Sequence, residues 1–329
     1  MGVGPNEDGT VRAALDVTPL RLTRAGTARY IRNLLERLEV ERVEFGGPGR
    51  AAVLARELWW YPVRLSTLSG ADLLHCTTYY GPVRPRIPTV VTVHDLAVLR
   101  HPEAFPRWTR SYVPRMLPHV LRAAHRVIAV SEFTASELEV LLRVPREKIR
   151  IVPNGVDSSF TVDGPRTEGS YVLAVGTLEP RKNLSRAIEA ARLAGVELRV
   201  VGARGWGGVE ASGANVTWLG EVDDAELARQ YRGSLCVLYP SLYEGFGIPV
   251  LEAMACGAAV VTSRGGATEE VAGDAAVLVD ARDPAAIAVG IGDAIARRAE
   301  LRERGLERAR AFSWDETASR TQSVYEDTQ

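Results

Sequence analysis

The sequence predicts an α/β protein of two doubly wound, Rossmann-like domains, each a parallel sheet with helices on both faces. Short apolar runs alternate with amphipathic stretches along the chain, the pattern of βαβ units whose crossover helices cover a parallel sheet. The length, 329 residues, exceeds one ordinary core and suits two domains of roughly 150 residues each. The pattern also restarts: a Pro-Asn-Gly turn closes one series of strands at 153–155, and a new apolar strand follows at 171–175.

In the first half VRAALDV (11–17), DLLH (72–75), PTVVTVHD (88–95) and RVIAVS (126–131) read as strands. Each ends at polar or small residues, where a parallel sheet places its site. A helix is predicted at 27–38, with Tyr30, Ile31, Leu34, Leu35 and Leu38 on one stripe, and another at 134–142, with Thr134 to Glu137 as its capping box. A strand and the turn at Asn154 and Gly155 end this half. The second half has strands at 171–175, 197–201, 216–219, 235–239 and 258–263, with helices between them, and the tail reads as two helices broken near Phe312 and Ser313. The expected division is therefore 1–155 and 156–312, with the helix 313–329 packing back on the first domain. Two such domains whose strand ends share a cleft predict a ligand between them.

Composition narrows the class. Hydrophobic residues make up 46% and charged residues 25%, proportions of a globular protein rather than a disordered one. The three cysteines, Cys76, Cys236 and Cys256, are scattered, with no CxxC and no histidine at ligand spacing, so neither a disulfide framework nor a zinc site is expected. The start MGVGPNEDGT has no basic, apolar leader pattern, no run reaches the ~18 apolar residues of a membrane span, and a reducing, cytoplasmic setting is expected. Residues 1–155 hold 22 Arg and Lys against 15 acids, and the remainder 18 against 26. A basic first half suits an anionic lipid, a phosphorylated acceptor or nucleic acid, or is simply a solvated surface.

Only two of the 40 basic residues are lysines, and one stands in GTLEPRKNL (176–184). Here a strand stops at Gly176, a loop follows, and a helix begins near Asn183. Arg181 and Lys182 thus lie beside a helix N-terminus, whose free N–H groups already favour an anion. A diphosphate is such an anion: Arg chelates two oxygens and Lys neutralises one. The second stretch, YPSLYEGFGIPVLEAMACG (239–257), runs from a strand end through a glycine-rich turn into a helix with Pro249 in its first turn. Gly245 and Gly247 let the backbone approach a ligand closely, and the carboxylates of Glu244 and Glu252 bracket the turn, each able to accept from neighbouring diols.

Together GTLEPRKN, PSLYEGFGIPVLEAMACG with its two Glu separated by seven residues, TVHDL, VSEFTASEL and IVPNGVD resemble the retaining glycosyltransferases of family 4, over essentially the whole chain. The resemblance implies the GT-B fold and transfer of a sugar from a nucleotide diphosphate sugar to an acceptor hydroxyl, with retention and without a bound metal or other cofactor. By position it implies that Arg181 and Lys182 hold the diphosphate. It puts Glu244 with the N–H groups of Phe246, Gly247 and Ile248 at the transferred sugar, Glu252 at the ribose, Gly176, Thr177 and Gly26 along the donor, and His94 near the reacting carbon. The first domain would bind the acceptor and the second the donor.

Two places depart from the family pattern. Thr177 stands where an Arg is frequent, so Arg181 is left to supply the guanidinium, and Ala28 replaces a frequent second glycine in TRAGTARY, the loop of Gly26. Tyr79 and Tyr80, after the strand at 72–75, suit an acceptor or a packed aromatic loop. The segment 107–126 carries five Arg, no acid and interspersed Trp108, Tyr112, Met116 and Leu117, which suits peripheral contact with an anionic membrane or a helix on the first domain. Pro114 and Pro118 are expected to interrupt it. The expected activity is hexosyl transfer, with GDP-mannose the first donor to consider, onto a saccharide or lipid-linked acceptor of the cell envelope, and no nucleic-acid partner. A nucleotide-sugar epimerase of the same fold and a non-catalytic nucleotide-sugar-binding subunit remain the alternatives.

Overall fold

A computed structural model describes residues 11–22, 26–46, 50–67 and 70–328. Two compact units emerge. The first comprises the described residues up to Arg100, then Pro106–Asn154 and the last helix from Trp314; the second comprises His101–Phe105 and Gly155–Ser313.

Among the described residues, six parallel strands form the sheet of the first unit: β1 (Ala13–Asp16), β2 (Val40–Val43), β3 (Leu73–Cys76), β4 (Thr89–Val93), β5 (Arg126–Ala129) and β6 (Ile149–Ile151), in the order β2-β1-β3-β4-β5-β6. β1, β3 and β4 are buried along their whole length, as strands covered on both faces must be. The second sheet contains β7 (Tyr171–Val175), β8 (Glu197–Val201), β9 (Val216–Gly220), β10 (Cys236–Tyr239), β11 (Val260–Ser263) and β12 (Val277–Val279), in the order β12-β11-β10-β7-β8-β9. Its core is formed by Val172, Leu198, Leu238 and Val261 with Ala187, Ala190, Ile287 and Ile291 from the covering helices.

The structure corrects two expectations. The helix expected from 134 begins at Glu132, because Ser131 is its cap: the Ser131 hydroxyl accepts the Thr134 N–H at 3.0 Å. Thr134 and Glu137 are buried inside the helix rather than forming a capping box. Second, Arg107–Ala123 is one helix of 17 residues that runs through Pro114 and Pro118. Each proline removes a backbone hydrogen bond, but the stripe of Val113, Met116, Leu117, Val120 and Leu121 stays buried, and that burial outweighs the two losses. The lysine outside the motif has a structural task here: Lys148 Nζ donates to the carbonyls of Leu121 and Arg122 at 3.1 and 2.7 Å, satisfying groups that the helix end leaves open.

The final helix, Trp314–Glu326, belongs to the first unit. Trp314 and Ala318 pack against Tyr30, Ile31 and Leu34, while Val324 and Tyr325 join Leu73, Val90 and Ile128. A buried polar chain pins it: Tyr325 OH is 2.7 Å from His75 Nδ1, His75 Nε2 is 2.8 Å from Thr92 Oγ1, and Thr92 Oγ1 is 3.0 Å from Tyr30 OH. Burial pulls the His75 pKa down to about 3, so the ring is neutral.

Candidate active site

In the second sheet β7 and β10 are neighbours whose chains leave in opposite directions, β7 toward β8 and β10 toward β11. The crevice at their C-terminal ends is where an open α/β sheet receives a ligand. The loop after β7 is held there by a close backbone approach. Gly176 N–H donates to Val201 O at 2.9 Å and Leu178 N–H to Ala203 O at 3.0 Å. A Cβ on Gly202 would lie 1.9 Å from Gly176 O, so only glycine lets the two loops meet. Gly176, Thr177, Lys182 and Tyr239 line a small cavity beneath.

The loop continues into the single turn Pro180–Lys182 and the helix Leu184–Leu193. Asn183 sits between them in the left-handed region, φ 61°, and its Nδ2 donates to Pro240 O at 3.0 Å and Ala281 O at 2.6 Å. Leu242 N–H donates to Arg181 O at 2.8 Å. The turn bearing both cations is therefore fastened to the chain leaving β10.

These fastenings bring Arg181, Lys182 and Glu244 together. Lys182 Nζ donates to Glu244 Oε1 at 2.6 Å and to Tyr239 OH at 2.6 Å, and Tyr239 OH donates to Glu244 Oε1 at 3.0 Å. Arg181 donates to Glu244 Oε2 at 2.9 Å and Tyr243 O at 3.1 Å, and pairs with Glu179 at 2.8 Å. The Arg181, Lys182 and Glu244 side chains are 16%, 16% and 10% exposed, so water screens the cluster little. Burial pushes the Glu244 carboxyl up, but Lys182 and Arg181 outweigh it and hold the pKa at about 2. Burial lowers the Lys182 pKa, against the pull of Glu244. The result is a pair of cations held on a partly buried anion.

Glu244 leads into the glycine-rich turn. Gly247, φ 114°, caps the helix Ile248–Ala255, and Pro249 lies in its first turn. Among the described residues no acceptor meets the N–H groups of Phe246, Gly247 and Ile248, the groups that a helix start leaves available. Glu252 is on this helix, 4% exposed, with its Oε2 accepting from Tyr231 OH at 3.0 Å. Neither Glu179 nor Tyr239 was singled out in the sequence. The signal was their adjacency to the motifs, three residues after Gly176 and at the last position of β10.

The other expected residues lie in the first unit. His94 follows β4, and its Nε2 is 2.9 Å from Thr77 O. A carbonyl can only accept, so Nε2 carries the proton, and burial lowers the ring pKa; Nδ1 is then an acceptor. The ring meets Tyr30 edge-on at 4.9 Å. Asp95 caps the next helix, accepting from Ala97 N–H at 2.9 Å. Tyr79 and Tyr80 are partly exposed, with centroids 5.0 Å apart. Gly26 opens the helix Gly26–Arg37, and residues 23–25 of its loop lie outside the described residues. Ala28 is fully buried in that helix, so it serves as a core contact. No three His, Cys, Asp or Glu side chains converge as metal ligands among the described residues.

The comparisons with known proteins match both parts of the chain. The family profile described as Glycosyl transferases group 1 matches residues 157–312, and that of Glycosyltransferase Family 4 matches 20–160. The O-antigen chain mannosyltransferase B of Escherichia coli is 31% identical over 281 residues, 77% of this chain and 74% of that protein. The chain is a family 4 glycosyltransferase. A second relative of this glycosyltransferase is the MMP alpha-(1->4)-mannosyltransferase of Mycolicibacterium hassiacum, 31% identical over 73% of this chain and 65% of that protein. Among solved structures, sucrose-phosphate synthase from Thermosynechococcus elongatus aligns with a TM-score of 0.75 at 20% identity, covering 96% of this chain and 98% of that one. HepE of Anabaena, in complex with UDP-glucose, aligns at 0.72 and 18%, covering 96% and 100%. These likenesses give the glycosyltransferase its fold class, GT-B.

Proposed function

We propose that this glycosyltransferase moves mannose from GDP-mannose to the hydroxyl of a saccharide or lipid-linked acceptor in envelope polysaccharide or glycolipid synthesis, with retention and without a metal ion. The observation that carries the donor assignment is the Arg181–Glu244–Lys182 cluster at the β7/β10 switch point, a place and a charge suited to a diphosphate. Mannose is suggested by the two mannosyltransferase relatives.

In this reading the leaving diphosphate gains negative charge as the anomeric C–O bond breaks, and Arg181 and Lys182 supply the compensating positive charge that a metal supplies elsewhere. The acceptor oxygen bonds to the anomeric carbon on the face the diphosphate leaves, and its proton passes to the departing phosphate oxygen, so no protein nucleophile is assigned. Glu244 and the N–H groups of Phe246, Gly247 and Ile248 orient the sugar, Glu252 the ribose, and Gly176 and Thr177 the phosphate path. His94 Nδ1, as an acceptor, suits a hydroxyl of the transferred sugar. The second unit would hold the donor and the first the acceptor.

Membrane contact by the first unit is part of the same proposal. Trp108 Nε1 donates to Glu57 and Tyr112 OH to the Glu57 carbonyl, joining the helix Arg107–Ala123 to the segment that exposes Leu54, Leu58, Trp59 and Val63. Trp108 is exposed as well, and so are Arg107, Arg110 and Arg115. Aromatic and aliphatic groups beside arginines suit an anionic bilayer surface. No helix among the described residues is long and apolar enough to cross a membrane.

The test is a donor screen in the presence of chelator: UDP-, GDP- and ADP-sugars, read by thermal stabilisation and by slow release of the nucleoside diphosphate. GDP-mannose is expected to give both responses. Formation of an epimer of the donor sugar without an acceptor favours the epimerase, and tight binding without release or transfer favours a binding subunit. Wild-type transfer by both Lys182→Ala and Glu244→Ala would falsify the assignment of the cluster.

A further inference from the structure

The chain passes between the two units after Arg100, Phe105, Asn154 and Ser313, and residues beside these passages meet one turn of the second unit. His101, the first residue of the entry His101–Phe105, sets its ring edge-on to Tyr243, with centroids 5.7 Å apart and planes at 63°. Phe312, just before the exit at Ser313, meets Phe246 in the same way at 5.9 Å and 72°. Val156, near the passage at Asn154, donates its N–H to Phe312 O at 3.3 Å and bridges Ser313. Tyr243 and Phe246 are 8% and 5% exposed and stand on either side of Glu244 and Gly245.

Each outer ring is itself held. The Glu103 carboxylate accepts from His101 Nδ1 at 3.2 Å. The Arg308 guanidinium lies 4.9 Å from the centre of the Phe312 ring, and it donates to Val271 O and Glu270 O, both at 2.8 Å. The turn between the two rings needs such support. Gly245 and Gly247 give its backbone a wide choice of conformations, and Gly247 adopts φ 114°. A site side chain is oriented no better than the backbone that carries it, and an edge-to-face ring pair is a directional contact. The turn of Arg181 and Lys182 has fastenings of its own, through Asn183 to Pro240 O and Ala281 O. The turn of Glu244 therefore depends on the two rings more than the cations do.

We propose that His101 and Phe312 are positioning residues for the transferred sugar: by gripping Tyr243 and Phe246 they fix the Glu244 carboxylate and the N–H groups of Phe246, Gly247 and Ile248 relative to Arg181 and Lys182. Both act through those two rings rather than on the reacting atoms. This rests on the donor reading above and deepens it, since it ties the sugar contacts to the segments through which the chain enters and leaves the second unit.

The experiment uses the whole protein with His101→Ala, Phe312→Ala, the double variant, and the ring-keeping variants His101→Phe and Phe312→Tyr. Hydrogen exchange of peptides spanning 242–250, read without ligand, reports the turn itself. Calorimetry with GDP and UDP, and release of nucleoside diphosphate from GDP-mannose and UDP-glucose, report the site. The alanine variants are expected to speed exchange and slow release by about threefold singly and about tenfold together, as the loss of one and of two ring contacts. Nucleoside diphosphate affinity should stay within about twofold, because the cations keep their own fastenings. The ring-keeping variants should match the wild type in every readout. His101 and Phe312 are both partly exposed, so the variants should fold. The proposal is overturned if the double variant leaves the exchange or the release within about twofold of the wild type, if nucleoside diphosphate affinity falls in step with the rate, or if the ring-keeping variants lose as much as the alanine ones. A wild type that binds no nucleoside diphosphate, with exchange still raised by alanine and restored by the rings, fails the donor reading alone and leaves the grip on the turn standing.

Discussion

The ammonium of Lys182 lies 2.6 Å from Glu244 Oε1, although 61 residues of sequence separate the two and both belong to motifs that read as ligand contacts. Through its two oxygens Glu244 thus pairs with both Lys182 and Arg181. On the proposed donor reading, a diphosphate at this place competes with Glu244 for the two cations.

Lys182→Ala is expected to lower kcat/KM for transfer by about 10²–10³, the cost of losing one donor to developing charge in a poorly solvated site. Lys182→Arg should rescue little. The Lys182 ammonium sits between Glu244 Oε1 and Tyr239 OH, each at 2.6 Å, and a planar guanidinium is a different shape. Steady-state kinetics of the two variants decide this, and an Arg variant near wild type would mean that only net charge matters.

Glu244 also ties stability to acid. Its pKa is about 2 in the folded chain against an ordinary 4.5, so the folded state favours the ionised form. A depressed carboxyl contributes stability above the ordinary value, and loses it as pH falls through the folded one. The shift corresponds to about 3 kcal/mol. Glu244→Gln should therefore be less stable than the wild type at pH 7, with the difference shrinking between pH 4.5 and about 2. Urea unfolding at pH 7 and at pH 2.5 measures it, and a pH-independent difference would show that packing alone sets the cost.

How far the sequence told of this depended on where each residue sits. β7 and β8 were readable at their observed bounds because β7 is five apolar residues, the first four buried, and β8 sets Leu198, Val200 and Val201 in the core between the partly buried Glu197 and Arg199. β2 and β12 were not. Both are edge strands: β2 exposes Glu41 and Arg42, and β12 has three residues, and edges carry charge or stay short in order to resist pairing. In the site, the glycine turns and Arg181, Lys182 and Glu244 were legible as motifs. Their bonding to one another was not, since it depends on β7 and β10 lying side by side. Glu179 and Tyr239 went unnamed for the same reason, since each joins the cluster only through that adjacency.

Asp16 and His75 should push stability in opposite directions with pH. Burial raises the Asp16 carboxyl from 3.8 to about 6. A raised pKa gives stability that is complete below pH 3.8 and lost as pH rises through 6, about 3 kcal/mol in all. Asp16→Asn is expected to be more stable than the wild type at pH 7.5 by up to that amount, with the gain gone below pH 4. For His75 the depressed pKa gives stability that is present above pH 6.5 and lost on acidification toward pH 3. His75→Phe should flatten that acid limb, although it leaves Tyr325 OH without its 2.7 Å partner and so starts from a lower value. Denaturant midpoints at pH 7.5 and 4.5 separate the two effects, and a wild-type pH profile in Asp16→Asn would mean that water reaches the buried Asp16 carboxyl, whose Oδ2 meets no donor among the described residues.

The exposed side chains Leu58, Trp59 and Trp108 give the last test. If they enter an anionic bilayer, cosedimentation with vesicles of phosphatidylglycerol and phosphatidylcholine should exceed that with phosphatidylcholine alone and fall as salt is raised, because the arginine contribution is screened over about 10 Å at 0.1 M. Leu58→Ser with Trp59→Ser should weaken binding at every salt concentration, since it removes apolar area. Arg107→Gln with Arg110→Gln should remove the salt dependence. Trp108 is the less suitable target because it also donates to Glu57. Equal binding to neutral and anionic vesicles would remove the electrostatic part of the argument. No binding to either would mean that these apolar groups meet something other than lipid.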